Sequence, residues 1–159
     1  MSTATIPAIQ RRITVNVPVE RAFHVFTSSL HTWWPQTFHI GAGEMERPVL
    51  EPRAGGRWYE RGVDGSECDW GSVVVWDPPG RIVLTWQIDG EWQYDADPAH
   101  ASEIEVLFVA DGPERTVVEL EHRHIGRLAH AEALASSVSG DGGWSLLLSR
   151  LAIAAGSDT

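Results

Sequence analysis

Hydrophobic and polar residues alternate along several short segments of the chain, and this pattern predicts a β-sheet. The clearest segments are residues 72–76 and 81–86, which flank an Asp-Pro-Pro-Gly turn at residues 77–80. Valine, isoleucine, threonine and tryptophan favour the half-buried surface of a strand. Because proline fixes φ and lacks an amide donor, and because glycine tolerates positive φ, the chain reverses direction at this turn. We therefore predict a β-hairpin in the middle of the chain.

The rest of the chain carries further strand patterns, with an apolar helix towards each end. Pro18 stands where proline favours the start of a helix, here over residues 19–27, and apolar residues at helical spacing predict an amphipathic helix over residues 144–155. Residues 28–35 are interpreted as a broken helical turn, and residues 126–138 have a helix-forming composition. The predicted strands cover residues 12–17, 46–51, 57–61, 68–76, 81–88, 103–109 and 116–124. This order indicates an α+β fold in which a curved antiparallel sheet grips a helix around a cavity.

Length and composition predict one domain over residues 1–159, with a core over about residues 10–155. A chain of this size can bury about 68–70% of its unfolded surface, so it needs no structural metal or disulfide. Cys68 is the only cysteine, and a reducing compartment is the simpler interpretation. The N-terminal residues contain no apolar signal segment, and nowhere do about 18 apolar residues follow one another. We therefore expect a cytoplasmic protein without a membrane span.

Charge and aromatic content narrow the range of partners. Twelve basic and twenty-two acidic side chains give a net charge of −10, which repels phosphate backbones, so no nucleic-acid partner is expected. Eight tryptophans are spread along the chain. Such large amphipathic rings suit both protein cores and apolar pockets. A small hydrophobic ligand is therefore the expected partner, and a homodimer stays open.

Several short motifs, in a fixed order, resemble a known family. The motifs are Trp33-Trp34-Pro35, Gly55-Gly56-Arg57-Trp58, Gly71, the turn at residues 77–80, Trp86, the strand over residues 117–122, and Gly143, Trp144, Leu147 and Leu151 in the last helix. Together they are similar to the START-like helix-grip superfamily (SRPBCC), and within it to proteins like the C-terminal domain of the activator of heat-shock protein 90 ATPase. The resemblance covers about residues 10–155.

The resemblance implies a seven-stranded antiparallel sheet folded around a long C-terminal helix, with a cavity for an apolar or amphipathic ligand. It does not imply one chemistry, because relatives include lipid carriers, hormone binders, polyketide cyclases and toxin-resistance proteins, and a fold does not determine a function. The eukaryotic activators carry a further N-terminal domain that this sequence does not show. A chaperone partner is therefore not the first expectation.

Strand parity and the resemblance together select the candidate cavity residues. On the predicted strands, the apolar residues of alternating parity face the helix, and residues of opposite parity face water. The segment from His31 to His39 is placed at the cavity mouth, where an indole would either stack on a flat ligand or plug the end of the barrel. The candidate ligand-binding residues are Trp33, Trp34, His39, Trp70, Trp86, Phe108, His122, Trp144 and Leu148.

Among the candidates, His122 is the polar residue with the clearest prediction, because parity places its imidazole on an otherwise apolar face. It would either bind a ligand or form hydrogen bonds within the core, and the second interpretation is favoured because buried polar groups are normally paired within the protein. His122 and His124 share one predicted strand face, but no further ligand lies close in sequence, so no metal and no other cofactor is expected. Cys68 lacks a nearby base, and no catalytic residue is assigned.

Three functions stay open at this level. The first is a non-enzymatic binder or carrier of a small hydrophobic or aromatic ligand, which the aromatic inner face favours. The second is an enzyme of the cyclase or hydrolase kind, with His122 as its acid–base group. The third is a co-chaperone or stress-related interaction module that uses the outward-facing carboxylates Glu103, Glu105, Glu119 and Glu121.

Overall fold

Seven antiparallel strands form one sheet in the computed structural model, which describes residues 6–156 of the chain. The strands are β1 (Ile9–Val15), β2 (Met45–Leu50), β3 (Arg57–Gly62), β4 (Glu67–Asp77), β5 (Arg81–Trp86), β6 (Ser102–Ala110) and β7 (Thr116–Arg123). Their order across the sheet is β1-β7-β6-β5-β4-β3-β2. The first strand in the chain therefore pairs with the last, and every other pairing joins neighbours in sequence. The central hairpin is β4 and β5, as the alternating pattern predicts.

Three α-helices cover one face of this sheet. They are α1 (Val19–Thr27), α2 (Ala131–Ser139) and α3 (Trp144–Gly156), and short 3-10 turns occupy Leu30–Thr32, Pro98–His100 and Ile125–Arg127. Helix α3 packs against β1 and α1. Its buried side is formed by Trp144, Leu147, Leu148, Leu151 and Ala155. The predicted α+β helix-grip architecture is thus confirmed. No helix within residues 6–156 is long and apolar enough to cross a membrane.

The two faces of β5, β6 and β7 differ as parity predicts. Residues at alternating positions are buried against the helices: Ile82, Leu84, Trp86, Ile104, Val106, Phe108, Val118, Leu120 and His122. On the other face, Glu105 accepts hydrogen bonds from Arg81 at 2.6 Å and from Arg123 at 2.9 Å. The hydrogen bond from Arg81 holds the pKa of Glu105 below its ordinary value. Arg123 also pairs with Glu103 and Glu121, so three of the four predicted carboxylates are neutralised in part.

The sheet curves where β4 pairs with its two neighbours, because both pairings contain a register shift. Strand β4 also approaches β5 closely at one point. The register of β3 with β4 shifts between Trp58 and Tyr59, and that of β4 with β5 shifts between Val73 and Val75. Such bulges bend a strand and increase its twist. At Gly71, a Cβ atom would overlap the backbone oxygen of Thr85. Only glycine therefore fits between Trp58 and β5 at this point.

Some boundaries differ from the sequence-based ones, and the differences have local causes. Strand β7 ends at Arg123 because His124 has a φ of 62°, which takes the chain out of the extended conformation, so His124 is exposed and does not share the inner face with His122. Strand β1 covers Ile9–Val15 rather than residues 12–17. The predicted helix over residues 126–138 is divided, because His130 has a φ of 53° and α2 begins only after it.

Candidate functional site

A cavity of about 320 Å³ lies between the sheet, the segment that follows the first 3-10 turn, and the junction of α2 with α3. The sheet contributes residues of β4, β5 and the segment just after β5. The junction is tight, because a Cβ atom at Gly143 would overlap the backbone oxygen of Val138. The lining residues are Trp34, Thr37, Phe38, His39, Ile40, Trp70, Trp86, Ile88, Trp92, Ser137, Val138, Gly142, Gly143, Trp144 and Leu147.

Four buried tryptophans, Trp34, Trp70, Trp86 and Trp144, form much of the cavity wall. The rings of Trp34 and Trp70 are 5.2 Å apart between centroids and tilted by 35°. The ring of Trp144 lies edge-on to Trp34 at 6.4 Å and is 6.0 Å from Trp86. Trp58 joins this group from behind, 5.2 Å from Trp70 and 6.1 Å from Trp86. We call these five residues the indole cluster.

Each lining tryptophan of the indole cluster donates its indole N–H to the protein itself. Trp34 donates to the backbone oxygen of Phe38 at 2.9 Å, and Trp86 donates to that of Ile88 at 2.8 Å. Trp70 and Trp144 donate to side chains that are described below. These rings therefore offer a guest their faces and apolar edges, and their donors are already used.

Trp92 lines the cavity from a tight loop and is the exposed tryptophan of the lining, at 45% exposure. Its φ is 62°, a conformation that few residues other than glycine adopt. The carboxylate of Asp89 holds the loop by accepting hydrogen bonds from the amides of Glu91 and Gln93. Glu91 also pairs with His130 at 2.8 Å, which ties the loop to the start of α2.

His39 lines the cavity and lies against a buried carboxylate, that of Glu60 on β3. The Nδ1 atom of His39 is 3.4 Å from Oε2 of Glu60. Glu60 is 2% exposed and accepts hydrogen bonds from the amides of Ile40 and Gly41, at 2.6 and 3.0 Å, and from the indole of Trp70 at 2.9 Å. Glu60 therefore fixes both the loop that carries His39 and one indole of the wall. The buried carboxylate is thus satisfied by three hydrogen-bond donors of the protein itself.

His122 lies directly behind the cavity wall, where both of its ring nitrogens are used. The indole N–H of Trp144 donates to Nδ1 at 3.1 Å, and Nε2 is 2.9 Å from the hydroxyl of Ser102. That hydroxyl donates to the backbone oxygen of Trp86 at 2.8 Å. Nδ1 accepts from Trp144, and the Ser102 hydroxyl donates its proton to Trp86, so it can only accept from Nε2. His122 is therefore neutral with its proton on Nε2. Burial lowers the pKa of His122 from 6.5 to about 3, which agrees with a neutral ring.

The structure brings five of the nine candidate residues together and leaves four outside the lining. Trp34, His39, Trp70, Trp86 and Trp144 line the cavity, and their role in binding stays a prediction. Trp33, Phe108, His122 and Leu148 are buried but do not reach it.

Each of these four has a different place in the core. Trp33 packs on Phe26 and donates its indole N–H to the backbone oxygen of Val25. Phe108 contacts Phe23 and Phe26 of α1, and so lies at the other end of the inner face. Leu148 is turned away from the cavity by the helical step from Leu147, which takes its place in the lining. His122 forms the buried hydrogen bonds that the core interpretation predicts.

Sequence reasoning missed the other ten lining residues, Trp92 among them, and also Glu60 behind the wall. Glu60 had a usable signal, because it follows Trp58 by two positions on one strand and therefore shares its inward parity. Trp92 belongs to an irregular loop with no periodicity, so no pattern places it at the mouth. Within residues 6–156, no three histidine, cysteine, aspartate or glutamate side chains are grouped so that they could hold a metal ion.

Comparison with known proteins supports the same fold and identifies relatives of known name. The family model for "Activator of Hsp90 ATPase homolog 1-like protein" matches residues 16–156. The structure of an anthrahydroquino-gamma-pyrone synthase, Txn09, shares 39% sequence identity over 94% of this chain and 97% of its own, with a TM-score of 0.67. The self-sacrificing resistance protein CalC from Micromonospora echinospora shares 30% identity over 94% of both chains, with a TM-score of 0.68.

A third solved structure supports the fold alone. CalU16 from Micromonospora echinospora shares 22% identity over 96% of this chain and 82% of its own, with a TM-score of 0.61. No curated protein matches the chain significantly.

Proposed function

The chain belongs to the family of Activator of Hsp90 ATPase homolog 1-like proteins, and from this premise we propose that it binds a planar aromatic molecule in the cavity. The observation that carries the proposal is the wall formed by Trp34, Trp70, Trp86 and Trp144. Their N–H groups are used within the protein, so the wall offers aromatic faces and apolar edges. Such a surface favours flat, largely apolar guests and recognises few polar ones.

Cavity size and the relatives refine the class of ligand. About 320 Å³ is at the lower end of the range of roughly 300–1,000 Å³ for pockets that hold small molecules, so a guest of about three fused rings is expected. The name of the synthase Txn09 denotes a fused aromatic compound, which supports this class. Among the described lining residues, the polar side chains besides the indoles are Thr37, His39 and Ser137. They leave room for one or two polar substituents on the ligand.

Fluorescence titration with 9,10-anthraquinone tests the proposal. We expect saturable quenching of tryptophan emission in the wild type. Replacement of Trp92 by alanine removes one face at the mouth, so the affinity falls roughly 2- to 10-fold, as one aromatic contact of about 0.5–1.5 kcal/mol predicts. The thermal unfolding midpoint changes little because Trp92 is half exposed. The matched control is Trp76→Phe, since Trp76 packs on Phe23 and does not line the cavity.

Two outcomes contradict the proposal. The first is the absence of quenching and of any thermal shift with anthraquinone and with related tricyclic compounds. The second is an equal loss of affinity in Trp92→Ala and Trp76→Phe, which would place the binding site elsewhere.

A second candidate function is an enzyme that closes a ring on a bound aromatic compound. The observation that favours it is the 39% identity with a synthase, together with a titratable side chain, His39, on the cavity wall. The acid–base role predicted for His122 is not retained, because both of its ring nitrogens are engaged within the core. Incubation with an anthrahydroquinone that carries an open ketone side chain, followed by chromatography, tests this candidate. A protein-dependent new peak supports it, and unchanged starting material counts against it.

A further inference from the structure

The Nδ1 atom of His39 is buried and has no hydrogen-bond partner among residues 6–156. Buried polar atoms in folded proteins are normally paired, so an unpaired one on a cavity wall calls for an explanation. Oε2 of Glu60 lies 3.4 Å from Nδ1, which is close enough for charge attraction but lacks the geometry of a hydrogen bond. The imidazole side chain is 24% exposed, and with Nδ1 turned inward, Nε2 on the opposite side of the ring is the nitrogen available to a guest.

The surroundings of His39 suit a ring that gains a proton. The Glu60 carboxylate lies 3.4 Å from Nδ1 in a nearly dry site, where two opposite charges attract each other more strongly than in water. Cys68 on β4 also faces Glu60, and burial followed by the charge of Glu60 raises the pKa of this thiol, so it stays neutral at pH 7. Of these two neighbours, the Glu60 carboxylate is therefore the one that can pair with a cationic ring.

We propose that His39 accepts a proton from an acidic hydroxyl group on the bound aromatic ligand and that Glu60 supports the resulting imidazolium. The inference rests on the proposed binding function and assigns the ligand class as phenols or enols. In this step the O–H bond of the ligand breaks, its electron pair stays on the oxygen, and an N–H bond forms at Nε2. Nδ1–H of the imidazolium then faces the Glu60 carboxylate. The products are a phenolate or enolate beside a cation, and no oxidant or reductant is consumed.

The proposed pair of the His39 imidazolium and the Glu60 carboxylate explains why a carboxylate is buried beneath an aromatic wall. Glu60 anchors the loop through the amides of Ile40 and Gly41, but a neutral glutamine or a backbone carbonyl could accept one such hydrogen bond at a lower desolvation cost. A full charge 3.4 Å from the free nitrogen of a cavity histidine adds the ability to stabilise a second charge. A phenolate held by stacking would then have its counterion within the same site.

The test uses 2-hydroxyanthraquinone, whose hydroxyl group changes the visible spectrum when it ionises, and anthraquinone, which has no such group. Bound to the wild type, the hydroxyl should ionise at a pH lower by about 1 to 3 than in free solution, because an opposite charge lies beside it. In His39→Gln this difference should disappear, and the spectra are compared at saturating 2-hydroxyanthraquinone so that any change in affinity does not enter the comparison. His24→Gln is the matched control, since His24 is exposed on α1 and outside the cavity lining.

The outcomes separate this inference from the binding proposal. If anthraquinone does not bind, the binding proposal fails and this inference fails with it. If anthraquinone binds but the wild type takes up 2-hydroxyanthraquinone without changing its ionisation, only the proton transfer is refuted. The same conclusion follows if His39→Gln ionises the probe as the wild type does. His39→Asn serves as a second variant, so that a change in loop position caused by glutamine does not decide the result.

Discussion

Replacement of His122 by glutamine tests how strongly the core depends on a neutral imidazole. The side chain is fully buried, and its nitrogens connect Trp144 on α3 to Ser102 on β6. Burial lowers its pKa from 6.5 to about 3. In the unfolded chain the imidazole takes up a proton near pH 6.5, whereas in the folded protein it does so only near pH 3. Stability from this group is therefore complete above about pH 6.5 and is lost as the pH falls towards 3.

The size of the effect follows from the two pKa values of His122. A pKa difference of about 3.5 corresponds to roughly 5 kcal/mol over the whole range, at about 1.36 kcal/mol for each unit. Between pH 7 and pH 4.5 the expected loss from this histidine is roughly 2 to 3 kcal/mol. Glutamine keeps one acceptor and one donor but does not titrate, so His122→Gln should be less stable than the wild type at pH 7 and should lose less stability on acidification.

Urea unfolding of the wild type, His122→Gln and His24→Gln at several pH values between 7 and 4.5 measures this difference. The carboxylates titrate alike in all three proteins, so their contribution cancels when the slopes are compared. We expect the His24→Gln curve to parallel that of the wild type. The His122→Gln curve should lose roughly 2 to 3 kcal/mol less between pH 7 and pH 4.5. Parallel curves for the wild type and His122→Gln would refute the reasoning. Titration of the His122 ring by NMR checks the same point without a mutation.

Two further predictions concern the sheet. Gly71→Ala should lower the free energy of unfolding by about 3 kcal/mol, because the new Cβ would overlap the backbone oxygen of Thr85. The control Gly80→Ala should change it by less than about 0.5 kcal/mol, because a Cβ atom there meets nothing within 4 Å. Equal effects of the two substitutions in urea unfolding would show that β4 can move aside. Arg123→Gln should lower the free energy of unfolding by about 1 kcal/mol at low ionic strength, because three carboxylates, Glu105 among them, lose their shared cation. If this decrease is equally large in about 1 M sodium chloride, its origin is not electrostatic.

Regular elements could be predicted from the sequence because their signals are local. The helix Val19–Thr27 has both of its predicted bounds, since Pro18 stands at its start and its apolar residues share one face. On the last strand, alternation alone predicts the burial of Val118, Leu120 and His122 correctly, but it is wrong for His124, which is exposed. Alternation predicts the face of a residue, but it does not predict how far along the sheet the cavity extends. For that reason Phe108 has the predicted orientation and still lies at the end that α1 fills.

The remaining parts of the site depend on contacts between segments distant in sequence. His39 is placed by the hydrogen bonds that Glu60, 21 positions later, accepts from the amides beside it. Trp92 reaches the mouth only because its loop adopts a left-handed conformation and is tied to the start of α2. Neither arrangement has a periodicity, so a single sequence does not reveal them. A charged residue at an inward-facing position, such as Glu60, is the signal that was available.

The close spacing of the indole cluster has a consequence for light emission. Neighbouring rings lie 5.2 to 6.4 Å apart between centroids, a separation at which excitation energy passes between tryptophans before a photon is emitted. We therefore expect the five indoles to share excitation energy. A single electron-poor guest in contact with one indole would then quench the fluorescence of all five. At saturation, the fraction of the emission that is quenched would exceed the fraction of the indoles that the guest contacts.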